Sequence, residues 1–323
     1  AKGGRILHML RYYLGEDAFY NGLKKYLNDN AYNSVEIHQL RIAMEAVSGE
    51  DLNWFFNQWF LSSGHPILAI DYDYDIEKKQ QIVNIEQIQN QANTTVYKLP
   101  FAIDVYIDGI ANRHLVEMKK KKQQFVFNSS KKPTNIIVDA EHVLLAEIFD
   151  KKSDKSWLEQ MNSPLYMDSK IALENISSAN ISQAILQALK NNFWGIRLLG
   201  VRKAKKLKNK EKFIGIIEQY AQNEKNTQVK SESLRLLADL DNKNKYISLL
   251  ESATHEKSLL VAGSGLSGLA KVDTKKALAL APNFENDLKN EVSKIYANYG
   301  GPNKDSYFKK LFLNSSGYDM YYL

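Results

Sequence analysis

The chain has 323 residues, 44% of them hydrophobic, which is enough for two or three domains with their own cores. The net charge of +6, from 43 basic and 37 acidic residues, is a mild excess that does not predict nucleic-acid binding. With 0 cysteines, disulfides, thiolate catalysis and cysteine-ligated zinc are excluded. No apolar run approaches about 18 residues, so no membrane span is predicted.

The first 65 residues predict four amphipathic helices. The first ends at Gly15, which tolerates the positive φ of a helix C-terminus. Asp17, Ser34 and Asp51 are candidate N-caps for the next three. The apolar stripe of the second helix is Phe19, Leu23, Tyr26 and Leu27. That of the fourth is Leu52, Phe55, Phe56 and Trp59, an aromatic stripe that predicts burial in a core rather than a ligand site.

From Ile67 the hydrophobic period changes from helical spacing to two, which is typical of a half-buried strand. The inward positions are Leu68, Ile70, Tyr72 and Tyr74. Further strands are predicted over Gln81–Gln89, Phe101–Ile107, His114–Met118, Gln124–Phe127 and Asn135–Val138. Asp108-Gly109 is a hairpin signal, because both residues tolerate positive φ. Short strands at this spacing predict a small β-sandwich.

Three carboxylates on the first predicted strand, Asp71, Asp73 and Asp75, leave two interpretations open. A calcium loop needs a turn with glycine and a distal glutamate, neither of which fits a strand. A solvated strand face requires only the period of two. We favour the solvated face.

The polar stretch Asp150–Lys155 predicts a linker, and everything after it reads as helical and repeats. The helices containing Ile196, Val229 and Val261 align at offsets of 33 and 32 residues. The small residues Gly200, Ser233 and Gly265 align with them. Such a period predicts stacked helical hairpins, a HEAT-like solenoid.

A glycine-rich segment, Leu259–Ala270, contains the pattern G-x-G-x-x-G at Gly263, Gly265 and Gly268. Glu285 follows at about the distance expected for the acidic residue of a dinucleotide site. That site needs a βαβ unit, whereas the surrounding sequence is helical. The same glycines fit the repeat as close helix contacts, which we favour.

Zinc hydrolysis needs His or carboxylate ligands in tetrahedral geometry. The 6 histidines are His8, His38, His65, His114, His142 and His255. None forms H-E-x-x-H, so the sequence favours isolated histidines over zinc ligands. The basic run Arg202–Lys210 has no interleaved aromatic residues, which favours a solvated helix face over an anion-binding patch.

Five strings in order carry a family resemblance. They are K-G-x-x-x-L-x-x-L-x-x-x-L-G from Lys2, F-x-x-G-L-x-x-Y-L from Phe19, A-M-E-x-x-S-G from Ala43, W-F-F-N-Q-W-F from Trp54 and G-H-P from Gly64. Together they closely resemble the end of the catalytic domain in the aminopeptidase N family of zinc exopeptidases. The resemblance is strongest up to about Ile70, moderate to Ile148 and weak afterwards.

In that family the segment follows the zinc-binding H-E-x-x-H helix and a catalytic tyrosine in a Y-x-K-G string, whose x is Ala1 here. The resemblance implies a C-terminal portion of a larger zinc enzyme, cut just after the tyrosine, with its zinc ligands upstream. It implies a helical end of the catalytic domain over residues 1–65, a β-sandwich over 66–150 and a truncated HEAT-like domain over 151–323. No catalytic or metal-binding residue is assigned here, and substrate-binding residues stay open.

The family activity is removal of N-terminal residues from peptides, in which zinc polarises the scissile carbonyl, a glutamate acts as base and a tyrosine steadies the oxyanion. The implied partners are peptides and the enzyme's own N-terminal half. Ile6, Leu7, Met9, Leu10 and Leu14 present more apolar surface than three partner helices cover. We therefore expect the first helices either to be the least stable region or to self-associate by burying that face against a second copy.

Two other classes stay open. Relatives of this architecture that have lost zinc ligands act as non-catalytic scaffolds, and residues before Ala1 would distinguish them from enzymes. A nucleotide-dependent oxidoreductase rests only on the glycine pattern, and a nicotinamide titration addresses it.

Overall fold

The computed structural model describes residues 2–90, 92 and 94–314. The chain divides into two compact units, residues 1–162 and 163–323, and each is described by itself. The aromatic segment 317–323, for which we predict another helix, lies outside the described residues.

The first unit begins with four helices: α1 (Lys2–Leu14), α2 (Glu16–Asp29), α3 (Ile37–Ser48) and α4 (Asn53–Trp59). Gly15 has φ 82°, as predicted for a residue that ends one helix and begins another. The predicted cap at Ser34 is wrong, because Glu36 begins α3 through a capping box with Gln39. Leu27 was predicted to face inward, but its side chain is 65% exposed.

Seven strands follow among the described residues: β1 (Ile67–Asp75), β2 (Gln80–Gln87), β3 (Leu99–Ile107), β4 (Ile110–Met118), β5 (Lys122–Asn128), β6 (Asn135–Val138) and β7 (Glu147–Asp150). They form a four-stranded sheet in the order β5-β2-β1-β7 and a three-stranded sheet in the order β4-β3-β6. The β3–β4 hairpin turns at Asp108 and Gly109, with φ 50° and 80°, as predicted. β7 runs parallel to β1, and every other pairing is antiparallel.

The first helices and both sheets share one hydrophobic core. The α4 stripe is buried as predicted, and the Trp59 ring lies 5.1 Å from that of Tyr97, just before β3. Ile6, Met9 and Leu10 of α1 are buried in the same cluster. Strand and loop residues thus cover much of α1 together with the helices, while Leu7 and Leu14 are only partly buried. This packing gives no support for self-association through the first helices, which stays a prediction.

The predicted linker Asp150–Lys155 is packed rather than free. Lys151 N–H donates to Ile70 O at 3.2 Å, and the Lys152 side chain is 3% exposed. The chain then continues into α5 (Asp154–Gln160), which completes the first unit.

The second unit is helical throughout its described part: α6 (Tyr166–Asn175), α7 (Ile181–Leu189), α8 (Trp194–Lys206), α9 (Glu211–Asn223), α10 (Thr227–Leu237), α11 (Ile247–Thr254), α12 (Leu259–Val272), α13 (Thr274–Leu280), α14 (Lys289–Tyr299) and α15 (Asp305–Leu313). Three short 3₁₀ turns connect the later helices. No helix in the described part is long and apolar enough to cross a membrane.

Ion pairs recur in the second unit at the predicted repeat spacing. Arg197 pairs with Glu224, and 33 and 32 residues further on Lys230 pairs with Glu256. Lys205 and Lys271 both pair with Asp239. Arg197 and Lys230, which align in the predicted repeat, therefore make similar ion pairs.

The glycine pattern lies inside α12, not in a strand-turn-helix unit. A Cβ on Gly265 would lie 2.6 Å from Leu250 O, and one on Gly268 would lie 2.6 Å from Leu250 Cδ2. The glycines therefore allow α11 and α12 to approach closely, as the helical interpretation predicts.

Candidate functional site

The two ends of the family-like segment meet in space. Lys2 Nζ donates to Gly64 O at 3.4 Å, which links the K-G string to the G-H-P string 62 residues later. His65 Nε2 then lies 2.8 Å from Glu147 Oε1, at the first residue of β7. The start of α1 is thus connected through Gly64 and His65 to the edge of the four-stranded sheet.

Gly64 is required by its surroundings. Its φ is 87°, and a Cβ there would lie 2.3 Å from Thr94 Cγ2. The Tyr97 hydroxyl donates to Ser63 O at 3.2 Å, which holds the turn from the other side. The local geometry therefore explains the glycine of G-H-P without any ligand.

One side of α1 carries polar residues at helical spacing. Arg11 Nη2 lies 3.2 Å from His8 Nδ1, and burial together with Arg11 and Arg5 lowers the pKa of His8. Burial and the neighbouring Glu141 carboxylate raise the pKa of Tyr12 to about 12. At neutral pH Tyr12 is therefore a neutral hydroxyl, and protonation of His8 is disfavoured.

The loop before β7 continues this polar cluster. Arg113 holds both Asp104 oxygens at 2.8 Å and Glu141 Oε1 at 2.7 Å, and hydrogen bonding to Asp104 raises its pKa. The buried Asp139, at φ 54°, accepts from Val143 N and Leu144 N at 2.9 and 3.0 Å. Burial nevertheless raises the pKa of Asp139.

This loop positions α1 directly. Leu145 N donates to Met9 Sδ at 3.3 Å, over a separation of 136 residues. The cluster around α1 therefore orients a helix and a loop. It has no nucleophile–base pair of the kind that covalent catalysis requires.

No group of three or more His, Cys, Asp or Glu side chains that could hold a metal ion occurs in the described part of the chain. The His114 ring lies 4.3 Å from the Phe127 ring, at an angle of 30°. His38 lies on α3, His142 in the loop before β7 and His255 at the end of α11. The described residues thus do not fit a zinc site.

The acidic strand residues behave as a solvated face. Asp71 pairs with Lys151 at 3.0 Å, and Asp75 accepts from Lys78 N at 2.9 Å. The basic run also has local partners, since Lys205 pairs with Glu232 and Asp239 and the Lys210 amine donates to Lys205 O.

Sequence reasoning missed the polar contacts that join distant segments. His65 and Glu147 are 82 residues apart, and Gln58 reaches Lys98 across 40 residues. A single sequence carries no signal for such pairs, because each depends on how the sheets place the partner.

Comparison with known proteins places the first segment. Residues 1–59 match the Peptidase family M1 domain. Aminopeptidase N of Escherichia coli is 31% identical over 142 residues, which are 40% of this chain and 16% of that protein. A probable aminopeptidase 1 of Sulfurisphaera tokodaii is 21% identical over 319 residues, 92% of this chain and 36% of that protein.

The fold agrees with a solved structure along its whole length. The crystal structure of Legionella pneumophila aminopeptidase A in complex with aspartic acid has a TM-score of 0.71 and 17% identity. It covers 100% of this chain, which spans 46% of that protein. The chain therefore spans less than half the length of these proteins. Residues 1–59 are therefore similar in sequence to the Peptidase family M1 domain, and the whole chain is similar to aminopeptidases in sequence or in fold.

Proposed function

We propose that this chain works as part of a zinc-dependent aminopeptidase that removes N-terminal residues from peptides. The observation that carries the proposal is the match of residues 1–59 to the Peptidase family M1 domain. The hydrogen bond from Lys2 to Gly64 supports it, because it joins the first and the last of the family strings.

The proposal places zinc and its ligands outside these 323 residues, since the described residues offer no metal-holding group. In this proposal the chain supplies the packing that positions the start of α1. Packing of α1 against Leu145 and the Lys2–Gly64 contact hold the first turns of α1 in place. In the family, the catalytic tyrosine lies just before this helix.

The finer architecture belongs to the same proposal. We infer that residues 1–65 form the helical end of a catalytic domain, 66–150 a β-sandwich and 151–323 a HEAT-like domain. The two sheets support the sandwich, and the repeating ion pairs support the helical domain.

The test compares two proteins: the 323-residue chain, and the product of the longest open reading frame that contains it. Zinc content is measured by atomic emission and activity by release of p-nitroaniline from alanine p-nitroanilide. We expect zinc and activity in the longer product, and neither in the 323-residue chain.

Two results would contradict the proposal. A longer product that binds no zinc and hydrolyses no aminoacyl substrate would favour a non-catalytic scaffold. One tightly bound zinc with matching activity in the 323-residue chain would contradict the placement of the zinc ligands.

A further inference from the structure

A cavity of about 370 Å³ opens on the first unit where β7 ends. Its walls come from the second half of β1, from the start of β6 and from the segment leading into α5. Tyr72, Tyr74, Pro133 and Ile136 give it an apolar lining. This volume is at the lower end of the range for ligand sites.

The edge of the four-stranded sheet is uncovered along this cavity. β1 pairs with β7 only over Ile67–Ile70. Within the described residues, no strand pairs with Asp71–Asp75 on that side. The uncovered stretch is about 17 Å long at the usual rise of roughly 3.4 Å per residue.

The alternation of main-chain groups along β1 shows which of them face this edge. Ile67 O accepts from Ile88 N on the β2 side, whereas Ile70 O accepts from Lys151 N on the β7 side. The main-chain N–H and C=O groups of odd-numbered residues of β1 therefore point to β2, and those of even-numbered residues point to β7. The N–H and C=O of Tyr72 and Tyr74 thus face the uncovered edge.

A buried side chain in the same cavity lacks a partner. Asn135 begins β6, the edge of the three-stranded sheet, and is 2% exposed. Its Oδ1 has no hydrogen-bond donor within reach. An unpaired buried acceptor is costly, so this atom points to a donor that a ligand would supply.

Two polar side chains that line the cavity, those of Tyr72 and Lys152, already have partners. The Tyr72 hydroxyl donates to Asp150 Oδ1 at 2.8 Å, and Lys152 Nζ lies 3.2 Å from Asp150 Oδ2. Lys152 also reaches Gln160 Oε1 at 2.5 Å. Because the charges of Lys152 and Asp150 neutralise each other, the cavity has no unpaired buried charge that would attract an ion. The groups that remain open are main-chain donors and acceptors of Tyr72 and Tyr74, at strand spacing.

We propose that this cavity binds an extended peptide segment of a partner protein, which adds as a strand beside Tyr72–Tyr74. Its N–H and C=O groups pair with the edge of β1, and one of its donors reaches Asn135 Oδ1. Apolar side chains of the segment face Ile136, while alternate side chains face solvent. This site is independent of the aminopeptidase proposal.

The probe is a phage-displayed library of random linear peptides, selected on the full chain and counter-selected on Asn135→Leu. Leucine is close to asparagine in volume and needs no hydrogen bond, so the variant should fold with an unchanged or higher melting temperature. Asn112→Leu, at an exposed asparagine on the opposite edge of the same sheet, is the control. We expect enriched peptides to bind the wild-type chain and Asn112→Leu equally and Asn135→Leu at least tenfold more weakly. Failure of the selection to enrich any peptide specific to the wild-type chain would overturn the proposal.

An enriched peptide then reports on strand addition without any protein variant. It is synthesised with N-methyl groups on odd or on even residues. One register should abolish binding and the other should keep it, because only alternate amides face β1. Hydrogen exchange at the Tyr72 and Tyr74 amides should slow on binding, while Asp71 and Asp73 stay protected throughout. Equal binding of both N-methyl registers, or unchanged exchange at the tyrosines, would overturn strand addition.

Discussion

The two units are built from contacts of very different range. In the first unit, Met9 meets Leu145 across 136 residues and Gln58 meets Lys98 across 40. In the second, Arg197 reaches Glu224 over 27 residues and Lys230 reaches Glu256 over 26. One unit is closed by distant segments, whereas the other is assembled from neighbours. The loss of amide protection caused by a substitution should therefore extend through the first unit and stay local in the second.

Trp59→Ala should show the largest effect. The side chain is 2% exposed and contacts Phe55 and Tyr97, so its loss should cost about 3–5 kcal/mol of unfolding free energy. Because helices and sheets share a core, amide protection should fall in α1 and in β3 together. Trp54→Ala, on the same helix but only half-buried, is the control and should cost less. Chemical denaturation and hydrogen exchange measure both effects. A loss of protection confined to α4 would contradict a shared core of helices and sheets.

Local elements of the fold were predictable where one residue type dictates a conformation. Gly15 and Gly109 have positive φ, and the alternation along β1 buries Leu68 and Ile70. The helical interpretation of the α12 glycines also agrees with the structure, because their neighbours favour helix over strand.

What could not be predicted depends on distant residues. The covering of α1 by the loop that contains Asp139 and Leu145 requires the sheets to be in place. The candidate peptide site could not be predicted for the same reason. Asn135 lines an open sheet edge only because β7 ends before β1 does, and that depends on how the strands pair. The family strings were readable because they are local, whereas the bond that joins Lys2 to Gly64 was not.

Arg197→Met tests whether the effect of a substitution stays local in the second unit. Arg197 and Glu224 are 17% and 9% exposed, and removing one partner leaves a nearly buried carboxylate without its guanidinium. We expect a cost of about 2–3 kcal/mol, with protection lost in α8 and α9 and retained in α12. Lys230→Met is the repeat-equivalent control, and it should cost about 1 kcal/mol or less, because Glu256 is 42% exposed. Loss of protection along the whole unit would contradict local assembly.

Gly265→Ala tests close packing within the second unit. A Cβ there would lie 2.6 Å from Leu250 O and 2.9 Å from Ala253 Cβ, so α11 and α12 must separate. Overpacking should cost about 1–3 kcal/mol, offset by up to about 1 kcal/mol of helix propensity. Gly215→Ala, on α9, meets nothing within 4 Å and should stabilise instead. Thermal unfolding measures both, and equal signs for the two variants would refute packing as the role of Gly265.

The smallest expected effect concerns Tyr12, at the contact between α1 and the loop that covers it. Its pKa is about 12 in the folded chain and 10.0 when unperturbed. Below pH 10 both states keep the proton, so stability is unaffected. Between pH 10 and 12 the unfolded state loses its proton while the folded state keeps it, so the free energy of unfolding falls as pH rises. Each pKa unit is worth about 1.4 kcal/mol, and partial exposure reduces the total to about 1 kcal/mol.

Tyr12→Phe removes this titration and should flatten the stability curve between pH 10 and 12 by that amount relative to wild type. Tyr220→Phe is the control in the second unit, where burial also raises the tyrosine pKa. Hydrogen exchange at high pH then shows whether the two units respond differently. Ionisation of Tyr12 should loosen α1 together with the loop at Glu141, whereas ionisation of Tyr220 should affect only α9 and the end of α7, whose Leu189 O accepts its hydroxyl. If raising the pH lowers amide protection in α1 but not in the loop at Glu141, then α1 and the loop do not open together. The first unit would then be less cooperative than its long-range contacts predict.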